Sequence, residues 1–207
     1  MGLVKHKAVQ LTERGKPQPG RGCNELAEAL EGADAASRRQ AARDIVHVPD
    51  AAGALVSRLK REDDAAVREV ILNALVRLSD PSAFGGLVDC LRDENPALRN
   101  ETIETFKQLG QEADPILKSL LADPDPDVRI FAVSILGSRR HGEAESRLIE
   151  VIENESHVNV CAAAVDPLCE IGTEASRDSL VRLKARFASE PYIQFACELA
   201  LRRMGEI

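Results

Sequence analysis

Apolar residues recur along most of this chain at steps of three and four, in runs separated by short polar stretches. In AAVREVILNALVRL, Val67, Val70, Ile71, Ala74, Leu75 and Leu78 fall on one face of a helix. Leu98, Ile103, Phe106 and Leu109 repeat the stripe, as do Val128, Val133 and Leu136. Shorter stripes precede these long ones: Leu87, Cys90 and Leu91; Ile116, Leu117, Leu120 and Leu121; Leu148, Val151 and Ile152. The alternation of short and long stripes predicts helical hairpins, each with a shorter first helix and a longer second one. A hairpin with one apolar stripe cannot bury it alone, so the hairpins must stack and share a core.

The polar stretches carry the stop and start signals. DPDPDVRIFAVSIL, residues 123–136, joins a helix-stopping half to an apolar half. Asp125 is placed to cap a helix by accepting a bond from an unpaired backbone N–H, and Pro126 suits the first turn, where its missing N–H costs nothing. Asp127 then lies at the positive end of the helix dipole. Asp80-Pro81, Asn95-Pro96 and Glu190-Pro191 read as the same device.

The pattern is periodic. Val67-Arg68, Leu98-Arg99 and Val128-Arg129 are 31 and 30 residues apart, and the register continues to Val160-Cys161 and Ile193-Gln194 and back to Arg38-Arg39. A period of about thirty residues marks a repeat solenoid. The expected fold is all-α, an α-solenoid of about six two-helix repeats over residues 23–207. Residues 15–22, GKPQPGRG, read as a linker, which makes residues 1–22 a flexible basic tail.

The runs from Asp125 to Ala132 and from Glu62 to Arg68 resemble HEAT repeats, and more specifically the short subtype named after phycobilisome lyases. The resemblance covers about residues 24–207. It implies a ladder of polar contacts between repeats, with Asp64, Arg68, Arg99, Asp125 and Arg129 in structural roles. It implies protein–protein binding as the usual activity, with bilin-lyase subunits and metal-dependent hydroxylases carrying His-Glu pairs as minority members.

Charge and composition narrow the partners. Residues 1–22 carry a net charge of +4 and the remainder −11. An acidic body lacks the clustered cations that phosphate backbones need, so no nucleic-acid surface is expected, and the absence of Trp and the single Tyr weigh against a base-flipping glycosylase. No stretch is long and apolar enough to cross a bilayer, and residues 1–15 lack the apolar segment of a secretion signal. The expected location is the cytoplasm, the expected state a monomer. The five cysteines, Cys23, Cys90, Cys161, Cys169 and Cys197, are irregularly spaced and read as reduced core thiols.

No His-Glu dipeptide, H-E-x-x-H, G-x-S-x-G or phosphate-binding glycine loop occurs. His157 and Cys161 share a helix face, but Cys169 lies about 12 Å along the helix from Cys161, too far for one zinc ion. No catalytic residue, metal or cofactor is assigned. The fifth repeat departs from the pattern: Cys161 replaces the ladder arginine, and Pro167 interrupts the second helix, which predicts a bend.

The favoured function is a non-catalytic scaffold that binds a protein or peptide on its concave face. The alternative is a bilin-lyase-like enzyme subunit or another enzyme subunit that handles a chromophore or cofactor. In such solenoids the second helices line the concave side. Positions two, three and six beyond each anchor then face a partner: Asn73, Asn100, Glu101, Glu104, Ile130, Phe131, Ser134 and Asp166, with Glu69, Val70, Ala162, Ala163 and Phe195 at equivalent places. Glu101 and Glu104 flanking Phe131 would favour a basic or amphipathic segment.

Overall fold

The computed structural model describes residues 23–139 and 143–205. The tail expected at residues 1–22 lies outside these, as does His141. Among the described residues there is no strand. The described residues form twelve α-helices that follow one another in six pairs: α1 (Cys23–Leu30) with α2 (Ala35–Asp44), α3 (Ala51–Leu59) with α4 (Ala65–Leu78), α5 (Phe84–Leu91) with α6 (Pro96–Gln108), α7 (Asp114–Leu121) with α8 (Pro126–Gly137), α9 (Glu143–Asn154) with α10 (Val158–Ile171), and α11 (Glu174–Arg186) with α12 (Pro191–Met204).

The second helices pack on one another in an unbroken row, α2 to α4 and onward to α12. The first helices pack less closely where α7 faces α5 and α9. A row of closely packed helices backed by a looser row curves toward the close side, so the second helices form the concave face. Between the rows runs one continuous core, from Leu26 and Leu30 through Val67, Ile71, Phe106 and Leu136 to Cys197 and Ala200.

The polar stretches act largely as the sequence indicates. Asp64 caps α4 by accepting from the Val67 N–H at 3.0 Å, and Asp125 caps α8 by accepting from the Asp127 N–H at 2.9 Å. Asn95 caps α6 in the same way through the Ala97 N–H. Two positions differ. Asp80 caps a short 3-10 turn, Pro81–Ala83, that leads into α5, and Glu190 makes no side-chain bond at the start of α12. The glutamate side chain is one methylene too long for the tight ring that caps a helix with Asp or Asn.

The repeated arginines hold each hairpin closed. Arg68 donates to the carbonyls of Glu62 and Asp63, Arg99 to those of Asp93 and Glu94, and Arg129 to those of Asp123 and Pro124. These are the residues six and five positions back, in the turn between the two helices. The rung between repeats is built from glutamate rather than from the capping aspartates. Arg68 grips Glu101 of the next repeat in two bonds of 2.8 and 3.0 Å, and Arg129 grips Glu155 at 2.7 and 3.3 Å. Burial pushes the Glu155 carboxyl up, and Arg129 with the His157 N–H outweighs that, leaving it below its usual range.

Arg38 makes the same contacts as Arg68. Its guanidinium donates to the carbonyls of Gly32 and Ala33, and to both oxygens of Glu62 at 2.8 and 2.9 Å. The first repeat is therefore registered one residue away from the reading that aligned Arg38-Arg39 with Val67-Arg68. Ser37 takes the anchor position, its hydroxyl bonded to Asp34, and Arg39 moves to the outward side.

In the fifth repeat the missing rung is filled from its neighbour. Arg186 reaches back from α11 to the carbonyls of Ile152, Glu153 and Glu155 and lies 3.4 Å from Cys161 Sγ. Burial pushes the Cys161 thiol up, against the opposing effect of Arg186. Pro167 leaves α10 unbroken in its span and rests against α8 at Gly137.

Candidate partner-binding face

The outward side of the second helices changes chemistry along its length. At the N-terminal end α2 and α4 form a groove of about 560 Å³ lined by Arg39, Arg43, Glu69, Val70, Asn73 and Arg77. Glu69 and Asn73 are exposed, and Val70 is half-buried. On α6, Asn100 and Glu104 are exposed. Glu101 is half-buried and held by Arg68, so its charge is already neutralised within the protein. Glu104 bonds to Lys107 on its own helix. The acidic rim expected on this helix is thus weaker than a count of carboxylates suggests.

Ile130 and Phe131 on α8 are each half-buried and pack against the core. Phe131 is neither a free anchor nor a fully buried core residue: part of its ring surface faces outward, next to the exposed Ser134. On α10, Ala162 is buried and Ala163 half-buried, while Asp166 is exposed. Asp166 accepts a 3.3 Å bond from the Tyr192 hydroxyl across to α12.

Among the described residues, α12 carries the largest apolar exposure. Tyr192, Phe195 and Leu199 are 57%, 64% and 40% exposed, and steps of three and four place them on one side of α12. Only Phe195 stands among the positions named from the sequence. Tyr192 precedes the anchor Ile193, outside the positions that the repeat register marks, whereas Leu199, six beyond that anchor, is level with Asn73, Glu104, Ser134 and Asp166. At the other end a one-residue shift in the first repeat concealed Arg39 and Arg43, and Arg77 lies ten residues beyond Val67, past the positions that the register marks.

A second depression, of about 610 Å³, lies on the opposite row between α7 and α9, with Lys118, Leu121, Arg147 and Val151 on its walls and the Arg129–Glu155 pair at its edge. Among the described residues no three His, Cys, Asp or Glu side chains gather as a metal ion requires. No helix among them is long and apolar enough to cross a membrane.

Comparison with known proteins adds the family. Residues 23–107, 51–123 and 113–202 match HEAT repeats. The chain is 28% identical over 182 residues to the bilin biosynthesis protein PecE of Mastigocladus laminosus, covering 82% of this chain and 67% of that one. It is 32% identical over 145 residues to a HEAT repeat-containing taxis protein of Halobacterium salinarum, covering 66% of this chain and 36% of the relative. Among solved structures, the complex of CpcE and CpcF of phycocyanin lyase from Nostoc aligns with a TM-score of 0.40 at 16% identity, over 96% of this chain and all of that one.

Proposed function

The chain belongs to the HEAT-repeat family, of the phycobilisome-lyase-like kind, and we propose that it is a binding scaffold that docks a protein segment along its concave face. The observation that carries this reading is the exposed stripe of Tyr192, Phe195 and Leu199 on the concave side of α12, in the same row of helices as the half-buried Phe131 on α8. Exposed aromatic side chains on a concave surface, rimmed by polar residues, are the composition of a binding face rather than of a solvated one. Asn73, Asn100, Glu104, Ser134 and Asp166 supply hydrogen-bonding groups along the way. The matching ligand is an amphipathic segment whose apolar side lies on α8 and α12.

The experiment is affinity capture from a lysate of the source organism, with wild-type protein beside Phe195→Ser and Phe131→Ala. The reading expects a protein held by the wild type and lost from both variants, with the Phe195→Ser melt unchanged. Equal capture by all three would overturn it.

A second reading rests on the likeness to PecE: the chain handles a bilin or similar chromophore, alone or beside a partner subunit. Adding a bilin to the purified protein tests it. A shift in the bilin absorbance on saturable binding supports this reading, and an unchanged spectrum removes it.

A further inference from the structure

Most arginines among the described residues are held by partners. Arg38, Arg68 and Arg129 are held by glutamates, and Arg99 and Arg186 by backbone carbonyls. Arg39, Arg43 and Arg77 make no ion pair or hydrogen bond among the described residues, and all three line the single groove between α2 and α4. Three unpaired guanidiniums in one groove of an acidic protein repel one another, and nothing in the packing of the repeats requires them there. Their equivalents in the third repeat are Asn100, Glu104 and Gln108, and in the fourth Ile130, Ser134 and Ser138, so this cluster is not repeated on the helices that follow.

The register of the first repeat fixes their spacing. Arg38 and Arg68 make equivalent contacts, so Arg39 stands level with Glu69 and Arg43 level with Asn73 on parallel helices. Arg77 lies one turn beyond Asn73. Measured along the helix axes the three cations therefore follow at about 6 Å per step, some four residues of helix at each, with Arg39 and Arg43 on the α2 wall of the groove and Arg77 on the α4 wall. In an extended chain, side chains on the same side recur every two residues, about 6.6 Å apart. The two spacings match. Ala66, Val70 and Ala74 give the groove a floor of small and β-branched side chains that a backbone can approach.

We propose that this groove seats an extended acidic stretch of the docked protein, with carboxylates at alternate residues facing Arg39, Arg43 and Arg77. The proposal rests on the reading that partners dock on the second-helix face, and it names the chemistry at one end of that face. Guanidinium binds carboxylate in a planar, two-bond geometry, and a cluster of the same sign speeds the approach of an oppositely charged chain. Glu69 beside Arg39 lowers the field at that end, which makes Arg43 and Arg77 the stronger seats.

The test uses a short fluorescent peptide alternating serine with glutamate, and a control alternating serine with lysine, followed by anisotropy with the full chain. The glutamate peptide is expected to bind at least about tenfold tighter than the lysine peptide in about 50 mM salt, with the preference largely lost near 500 mM. The triple variant Arg39→Gln, Arg43→Gln, Arg77→Gln should weaken it by a further factor of about ten or more at low salt. Its melt should not fall, because none of the three holds another residue and their mutual repulsion is removed. If the triple variant melts early, the pair Arg43→Gln, Arg77→Gln, both exposed, carries the same test. Equal binding of both peptides, or binding indifferent to these variants, overturns the proposal. So does displacement of the glutamate peptide by inorganic phosphate well beyond the effect of chloride at equal ionic strength, which would mark a seat for a single small anion. Failure here with capture still lost from Phe195→Ser would remove the acidic ligand and leave the docking reading standing.

Discussion

Glu62 offers the sharpest test of how the repeats are held together. It sits in the turn between α3 and α4 with its side chain 1% exposed. Its two oxygens accept from Arg38 of the preceding repeat at 2.8 and 2.9 Å, from Arg58 Nε at 2.9 Å, and from the Asp64 N–H at 2.9 Å. Burial pushes its carboxyl up, but these donors outweigh burial and hold the pKa at about 2, against 4.5 for a free side chain. That difference corresponds to about 3 kcal/mol of preference for the charged form in the folded state. Glu62→Gln keeps the shape and removes the charge, so it stands in for the protonated residue. The variant should therefore lose about 3 kcal/mol near neutral pH, in the range seen when one member of a buried ion pair is removed.

The pH profile follows from the sign of the shift. Because the folded pKa is depressed, the stabilisation is complete above 4.5 and disappears as pH falls toward 2. The advantage of the wild type should shrink to about 1.4 kcal/mol at pH 3 and vanish below pH 2. Urea unfolding of both proteins followed by circular dichroism measures this difference. A cost under about 1 kcal/mol at neutral pH, or a gap that persists unchanged in acid, would refute the assignment of Glu62 as the rung between the first two repeats.

Further predictions address the rest of the ladder and the helix ends. Arg129→Ala should cost about 1–3 kcal/mol in urea unfolding, because it strips the half-buried Glu155 of its charged partner and leaves it only the Ser156 and His157 N–H groups; a loss of binding with an unchanged melt would reverse its structural role. Gly137→Ala should destabilise the protein, since an added Cβ would lie 2.6 Å from the Pro167 ring, and Pro167→Ala in the same chain should restore part of the loss in a double-mutant cycle. Ser79→Gly should raise stability by about 1 kcal/mol, because Ser79 ends α4 with φ at 49° in the left-handed region that a side chain disfavours; a lower melt would contradict this.

The fold was legible because each level of the sequence points the same way. Stripes at helical steps, Asp and Asn caps before Pro96 and Pro126, and a thirty-residue period all demand stacked hairpins. The contacts between repeats were less legible. Whether Arg68 would pair with an aspartate of its own turn or with Glu101 depends on side-chain reach across a packing interface, which spacing along the chain does not encode. The same holds for Arg186, which replaces the ladder arginine from 25 residues away. On the concave face, Glu101 read as a free charge because its partner is distant in sequence. Phe131 read as either anchor or core because a half-buried position satisfies neither pattern fully. Arg39 was lost to a shift of one residue, which on a helix turns a side chain by about 100°.

Hydrogen–deuterium exchange on the protein with and without the captured partner tests the central claim most directly. Docking on the concave face predicts added protection along the second helices, strongest on α8 and α12, with the first helices unchanged. Protection confined to the first helices, or centred on the depression between α7 and α9, would contradict it.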